Sequence, residues 1–355
     1  MTLHFTPALA QVGPDADVVV TSRARIARNI SGFPFTNRAS APVRQEVLRV
    51  ARLAVERVTP PSAAAEATSL HWLDMQRAPL RDRQLLAERH LVSRGFADGD
   101  APRALALSKD ERTSVMVNEE DHLRIQSLAP GAALGDAYDA AFAVEAALGH
   151  HVTYSFHPRW GFLTACPTNV GCGIRLSAML HLPALRLTNE IERVKRAAEE
   201  LHLAVRGYYG EGSESIGSFY QISNQVTLGA SEERLRDEFL GQILPRIVGY
   251  EREARAVALA NSRTAVEDRV FRAHALLSSA RLLTADEATK MLGRVRLGVA
   301  CELLATPLST VQRLLLHVQP AHLALIDPRA AEGIEAECEV RATIVRQGLA
   351  QAPPV

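Results

Sequence analysis

Apolar positions recur every second residue in some stretches of this chain and every three to four in others, and the switch of period predicts its elements. "DVVVTS" (17–22) alternates as a strand, whereas "APVRQEVLRVARLAVERV" (41–58) keeps a helical period. "SVMVN" (114–118) and "HLRIQSL" (122–128) read as two strands around an acidic turn, and "GFLTAC" (161–166) as another. "IRLSAMLHLP" (174–183) alternates so that Ile174, Leu176, Ala178, Leu180 and Leu182 share one face, leaving Arg175, Ser177 and Met179 on the other. "LTNEIERVKRAAEELHL" (187–203) is a helix with Thr188 as its N-cap. It leads into "AVRGYYG", the loop "EGSESIGS" (211–218) and the strand "FYQISNQVTLG" (219–229).

Strands joined by short turns, without a βαβ rhythm, predict an α+β fold: a largely antiparallel sheet flanked by helices. From residue 231 to the end the periodicity is helical, so an all-α C-terminal domain follows. The expected division is 1–260 and 261–355, with no internal repeat and a fraying tail, "QAPPV".

Composition adds little until position is considered. The chain has 355 residues, with 40 basic and 40 acidic side chains in balance, so it lacks the footprint of a nucleic-acid binder. Lys109, Lys195 and Lys290 are the only lysines; nearly all the positive charge is arginine, which reflects either genome composition or a need for planar guanidinium forks. The start has no signal-peptide character, and no run of about eighteen apolar residues occurs, so a soluble cytoplasmic protein without membrane contact is expected. Cys166, Cys172, Cys301 and Cys338 form neither a disulfide framework nor a CxxC pair, and no metal ligands are expected.

Four segments carry polar residues where core alternation would not put them. In "TSRARIARN", Arg23 and Arg25 project from one strand face. "NEEDHLR" sets Glu119, Glu120 and Asp121 beside His122 and Arg124; alone, the acidic run reads first as a solvated hairpin tip. "CPTNVGCGIR" is a glycine-punctuated turn ending at Arg175, and "RGYYGEGSES" places Arg206 at a strand end and Glu211 between glycines. There is no phosphate-cradling GxxxxGK[ST], so arginines gathered from several strands are the available route to a triphosphate. Carboxylates from separate loops suit a cationic guanidino nucleophile, which must be oriented and relieved of a proton.

"NEEDHLR", "CPTNVGCG" and "RGYYGEGSES" closely resemble the signature segments of the ATP:guanido phosphotransferases, which include creatine kinase and arginine kinase. The longer strings "VNEEDHLRIQ", "GFLTACPTNVGCGIRLSAMLHLPAL" and "FYQISNQVTLG" are similar to the bacterial protein-arginine kinase branch, with likeness from about residue 17 to 350. The resemblance implies a kinase for arginine side chains in proteins, using ATP and Mg²⁺ and acting as a homodimer through its helical C-terminal domain. The small N-terminal helical domain of the metabolite kinases is expected to be lacking. Proteins with exposed arginines would be its substrates; marking for a Clp-type protease and a zinc-binding activator are further implied partners.

Carried over by motif, the ATP contacts fall on Thr21, Ser22, Arg23, Ala24, Arg25, His90, Arg124, Arg175, Leu176, Ser177, Ala178 and Met179. They continue through Arg206, Gly207, Tyr208, Tyr209, Gly210 and Glu211. Glu120, with Glu119, Glu211 and the thiol of Cys166, would meet the substrate guanidinium, although Cys166 alone also reads as a buried structural cysteine. Two departures stand out. Cys172 occupies the threonine position of the family's "NVGTG" turn, replacing a good hydroxyl donor with a weak one. "ECEVRA" (337–342) replaces an Arg-Asp-x-x-Arg-Ala phosphoarginine pocket, keeping Arg341 and Ala342 but setting Glu337 and Cys338 at its start. A carboxylate there repels phosphate, so regulation through that pocket is expected to be lost. A kinase for a free guanidino metabolite and an inactive arginine-binding adaptor are the competing readings.

Overall fold

The strand predicted at residues 17–22 extends beyond its apolar run to Arg28 and becomes the hub of the sheet. In the computed structural model, which describes residues 7–58, 69–207 and 216–350, the strands are β1 (Val19–Arg28), β2 (Leu70–Asp74), β3 (Ala104–Ser108), β4 (Thr113–Val117), β5 (Leu123–Pro130), β6 (Phe156–His157), β7 (Gly161–Phe162), β8 (Ile174–His181), β9 (Leu203–Gly207) and β10 (Phe219–Asn224). Eight form one sheet in the order β2-β3-β4-β5-β1-β8-β10-β9, every neighbouring pair antiparallel, and β6–β7 is a separate hairpin.

The helices are α1 (Ala41–Val58), α2 (Leu80–Glu88), α3 (Arg94–Asp98), α4 (Leu134–Gly149), α5 (Pro183–Leu187), α6 (Ile191–Glu200), α7 (Glu232–Glu238), α8 (Leu244–Ser279), α9 (Ala285–Ala300), α10 (Leu308–His317), α11 (Pro320–Ile326) and α12 (Ile334–Ala350). α1 has the bounds its sequence predicts. Its buried residues Val47, Ala51, Ala54 and Val55 recur at the spacing of one helical stripe and pack with α4 against the sheet.

Directly opposed residues of antiparallel strands point to the same side. Ala24 and Ile26 of β1 therefore share a face with Ile125, Ile174, Leu176 and Ala178, and together they form the main core. A second core joins α8, α9, α10 and α12 with Val20, Met179 and Phe219. α8 runs through the expected boundary near residue 260 as a 36-residue helix, its one non-helical residue being Ser262 (φ −148°, ψ 37°).

Three local readings are corrected. "GFLTAC" leaves the strand after Phe162, because the Ala165 N–H is taken by the Asp121 carboxylate (2.6 Å) rather than by a neighbouring strand. "FYQISNQVTLG" ends as a strand at Asn224, whose side chain accepts from Leu176 N (2.8 Å) and donates to Ile174 O (3.1 Å), replacing the backbone ladder. Thr188 ends α5 instead of capping α6: its hydroxyl donates back to Ala184 O (3.0 Å), and Glu190 is the residue at the start of α6.

Arg28, 1 % exposed, ties these parts together. It pairs with Glu145 of α4 at 2.8 Å, donates to Ala27 O and Cys172 O at 2.9 Å each, and lies 3.4 Å from the Phe162 ring centroid. Gly173 (φ +66°) is required beside it, since a Cβ there would come within 2.8 Å of Arg28 Nη1. Arg28→Met should cost about 3–5 kcal/mol in urea unfolding, the range for breaking a buried ion pair; a loss under about 1 kcal/mol would mean that the guanidinium is not what fixes this turn.

Candidate active site

Strand register assembles the arginines. Arg25 opposes both Gln126 of β5 and Arg175 of β8, Arg23 opposes Ser177, and Ala27 opposes Arg124. On the other flank Gln221 of β10 opposes Met179 and Arg206. The face opposite the main core thus collects Arg23, Arg25, Arg124, Arg175 and Arg206, with Thr21, Ser177 and Met179. The side chains of Ser22, Ala24, Leu176 and Ala178 are directed to the opposite side by the same alternation; Ser22 Oγ donates to Gly131 O at 2.7 Å.

A cavity of about 670 Å³ opens over this face. Arg23, Arg25, His90 and Arg206 line it with Ser93, Arg94, Gln221, Asp286 and Gln319. Burial, then the neighbouring guanidinium groups of Arg124, Arg175 and Arg206, push the Arg23 pKa down to about 9, and burial with Arg23, Arg124 and Arg175 holds Arg25 well below its ordinary value. Nε and Nη2 of Arg25 are buried with no hydrogen-bond partner among the described residues. Such crowding is relieved by an anion with several oxygens, which supplies both acceptors and charge.

At one margin lies the acidic turn between β4 and β5, and three of its residues are consumed in building it. Asn118 (φ 62°) donates its side-chain amide to Arg44 O (2.9 Å) and Pro102 O (3.1 Å). Asp121 accepts from Asn29 Nδ2 (2.7 Å) and from Ala165 N, joining the turn to the segment that carries Cys166. His122 accepts the Ile30 N–H at Nδ1 (3.0 Å), which leaves Nε2–H to donate to Pro34 O (3.0 Å); burial holds this neutral ring below the usual histidine pKa.

Glu119 and Glu120 remain for the arginine side of the turn. Arg124 Nη1 donates to Glu119 at 2.7 Å and to Glu120 at 3.3 Å, and Ser93, the N-cap of α3, donates its hydroxyl to Glu119 at 2.7 Å. Burial works to raise the Glu119 pKa, but Arg124 and Ser93 outweigh it and hold the carboxyl below its ordinary value. The Glu119 side chain is 14 % exposed and that of Glu120 42 %, so Glu120 is the more open to an incoming group.

Cys166 is partly buried, its Sγ 3.0 Å from Thr168 Oγ1. Cys172 lies in the main core, so its thiol replaces no hydroxyl on the arginine face; burial raises its pKa. Gly207 closes β9, while Tyr208, Tyr209, Gly210 and Glu211 lie outside the described residues. At the far end, Arg341 is 1 % exposed and donates to Val318 O (2.8 Å), Leu283 O (2.9 Å) and the Glu337 carboxylate. Ala342 is buried behind it, and Cys338 is partly buried. Ser93, Arg94, Gln221, Asp286 and Gln319 escaped the sequence reading, because no local pattern marks a residue that reaches a cavity from a helix start or a neighbouring strand.

A sheet that gathers guanidinium groups on one side of a turn and presents carboxylates on the other suits an enzyme that moves phosphoryl groups onto guanidino nitrogen. Residues 53–254 match the family model described as ATP:guanido phosphotransferase, C-terminal catalytic domain, and residues 263–354 match the protein-arginine kinase McsB C-terminal domain. The chain belongs to the ATP:guanido phosphotransferase family and is an ATP-dependent guanidino phosphotransferase.

A protein-arginine kinase of Halothermothrix orenii is 37% identical over 342 residues, covering 96% of this chain and 95% of that one. That of Moorella thermoacetica is 40% identical over 344 residues, covering 95% of each. In fold, the duplicated taurocyamine kinase of Schistosoma mansoni, solved with transition-state analog components, superposes with a TM-score of 0.62 at 24% identity. That match covers 71% of this chain and 37% of the duplicated one. A lombricine kinase gives 0.57 at 22%, covering 71% and 70%.

His90, in a left-handed conformation (φ 58°) at the cavity wall, has its pKa pushed down to about 3 by burial and by the positive charge of Arg23 and Arg94. The unfolded chain, with a histidine pKa near 6.5, then binds more protons than the folded one between those values, so the stability contributed by neutral His90 is full above about pH 6.5 and is lost as pH falls toward 3. His90→Asn, which tolerates that backbone, should flatten the fall in urea midpoint on acidification; an unchanged pH slope would show that the ring titrates normally.

Proposed function

We propose that this chain is a protein-arginine kinase, transferring the γ-phosphoryl group of Mg-ATP to arginine side chains of other proteins. The observation that carries this is the pair Glu119–Glu120: two carboxylates already holding a guanidinium, that of Arg124, at the margin of an arginine-lined cavity. The long likeness to chains named protein-arginine kinase points to the same acceptor.

Arg23, Arg25, Arg124, Arg175 and Arg206 would fix the triphosphate, with His90 at the wall. Glu120 would orient the acceptor with help from Glu119, Glu211 and Cys166. A guanidino nitrogen attacks Pγ, the N–P bond forms as the bond from Pγ to the bridging oxygen breaks, ADP leaves, and the nitrogen's proton passes to a carboxylate. Its greater exposure makes Glu120 the better acceptor of that proton than Glu119. Magnesium would be carried largely by phosphate oxygens and water, as its preference for oxygen ligands and a retained hydration shell implies. Bound there, it would neutralise charge on the triphosphate.

Catalysis is assigned to residues 1–260, and dimerisation and regulation to 261–355. The break at Ser262 lies near that boundary, although the second core takes Val20, Met179 and Phe219 from the first part as well as residues of the second. A homodimer is supported by the exposed apolar residues Leu325, Ile326 and Ile334 at the C-terminal end. A reducing cytoplasmic setting suits four free cysteines, and no helix of the described residues is long and apolar enough to cross a membrane. Delivery of marked proteins to a Clp-type protease, and control by a zinc-binding activator, rest on kinship alone.

Mass spectrometry of a basic protein incubated with Mg-ATP, beside free arginine, tests the acceptor. Phosphate on protein arginines is expected, and Glu120→Ala and Glu211→Ala should each lower the rate by about 10²–10⁴; phosphate confined to free arginine would overturn the assignment. Phosphoarginine itself should not activate the enzyme, because Glu337 already occupies the Arg341 guanidinium. Saturable activation that disappears in Arg341→Ala would show the opposite.

A further inference from the structure

The C-terminal helices complete the arginine-lined cavity. Ala285 and Asp286, in the first turn of α9, and Gln319 and Pro320, at the start of α11, line it opposite the sheet. Both helix starts are held by one side chain that does not itself line the cavity. Arg341 of α12 donates Nη1 to Leu283 O (2.9 Å), immediately before Thr284, the N-cap of α9. Its Nε donates to Val318 O (2.8 Å), immediately before Gln319, the N-cap of α11.

The grip is stiff for three reasons. A guanidinium is planar, so its two carbonyl partners are fixed relative to each other. Its third donor is engaged by Glu337, and Leu283 N donates back to Cys338 O (3.1 Å) on the same helix. α11 is clamped from the other side by Glu88 of α2, which accepts from Ala321 N (2.7 Å) and His322 N (3.0 Å). Movement of α12 must therefore move both helix starts against a fixed catalytic side.

We propose that Arg341 is a positioning residue for the nucleotide: by bridging the carbonyls of Leu283 and Val318 it sets the wall of the cavity and hence the affinity for Mg-ATP, without touching the ligand. This rests on the reading of the arginine-lined cavity as the nucleotide site. The C-terminal helices then tune nucleotide binding rather than the transfer step.

The test is steady-state kinetics with a protein acceptor together with Mg-ADP titration of the full chain. Arg341→Met should raise KM for Mg-ATP about fivefold or more while kcat stays within about twofold, the split expected of lost ground-state positioning. Arg341→Lys, which keeps the charge but not the fork, should fall between, and serves if the methionine variant does not fold. Arg346→Met is the control: Arg346 also donates to a carbonyl, that of Ala280 at the end of α8, but supports neither helix start. An unchanged KM with a lowered melting temperature, or an equal rise of KM in Arg346→Met, would overturn the proposal. Arg25→Met separates the two readings: retained Mg-ADP binding would place the nucleotide elsewhere, whereas lost binding beside normal Arg341 variants would reject only the positioning role.

Discussion

Like charges in a low-dielectric site repel, and a crowded cluster of guanidinium groups persists only if the scaffold over-determines it. Here the scaffold is β1, paired along most of its length on both sides, so that each arginine it carries or opposes is fixed by backbone registers that side-chain repulsion does not reach. Burial and mutual repulsion lower the Arg23 and Arg25 pKa values, and a carboxylate partner in the sheet would have erased that imbalance. Three buried arginines elsewhere in the molecule are given carboxylates: Arg28 has Glu145, Arg89 has Glu111 at 2.5 Å, and Arg255 has Glu251 at 3.0 Å. Set beside those satisfied pairs, Arg25 marks where the fold expects something from outside.

The acidic turn solves the complementary problem. Asn118, Asp121 and His122 are all but inaccessible and make the hydrogen bonds that define the turn, which leaves the adjacent Glu119 and Glu120 carboxylates for Arg124. Asp121 also draws the Cys166 segment against this turn through Ala165. The result is a short stretch in which structural and chemical residues interleave, each needing the other in register.

Much of this was legible in the sequence where periodicity is strong. α1 has the predicted bounds because one apolar stripe runs its whole length, and β8 shows the alternation of Ile174 to Leu182 with Arg175 and Ser177 on the far side. The acidic turn was legible as a turn, and the motifs around Arg23, Arg124 and Arg175 pointed to one face. What could not be read depends on side chains competing with backbone: Asn224 ends a strand whose β-forming residues continue, and Asp121 takes the N–H that would have extended another. Nor could the local pattern show that α9 and α11 come back to close the cavity, since that follows from packing across more than a hundred residues.

α8 has a mechanical meaning. Its 36 residues have a contour of about 54 Å, with Leu244, Ile247 and Ala254 anchored in the sheet-side core and Val266, Val270 and Leu277 in the other. The expected division at residue 260 therefore falls inside a rod, two residues from its one joint at Ser262, and not in a linker. Severing the chain there would leave each half with the splintered end of a helix and an apolar stripe facing water.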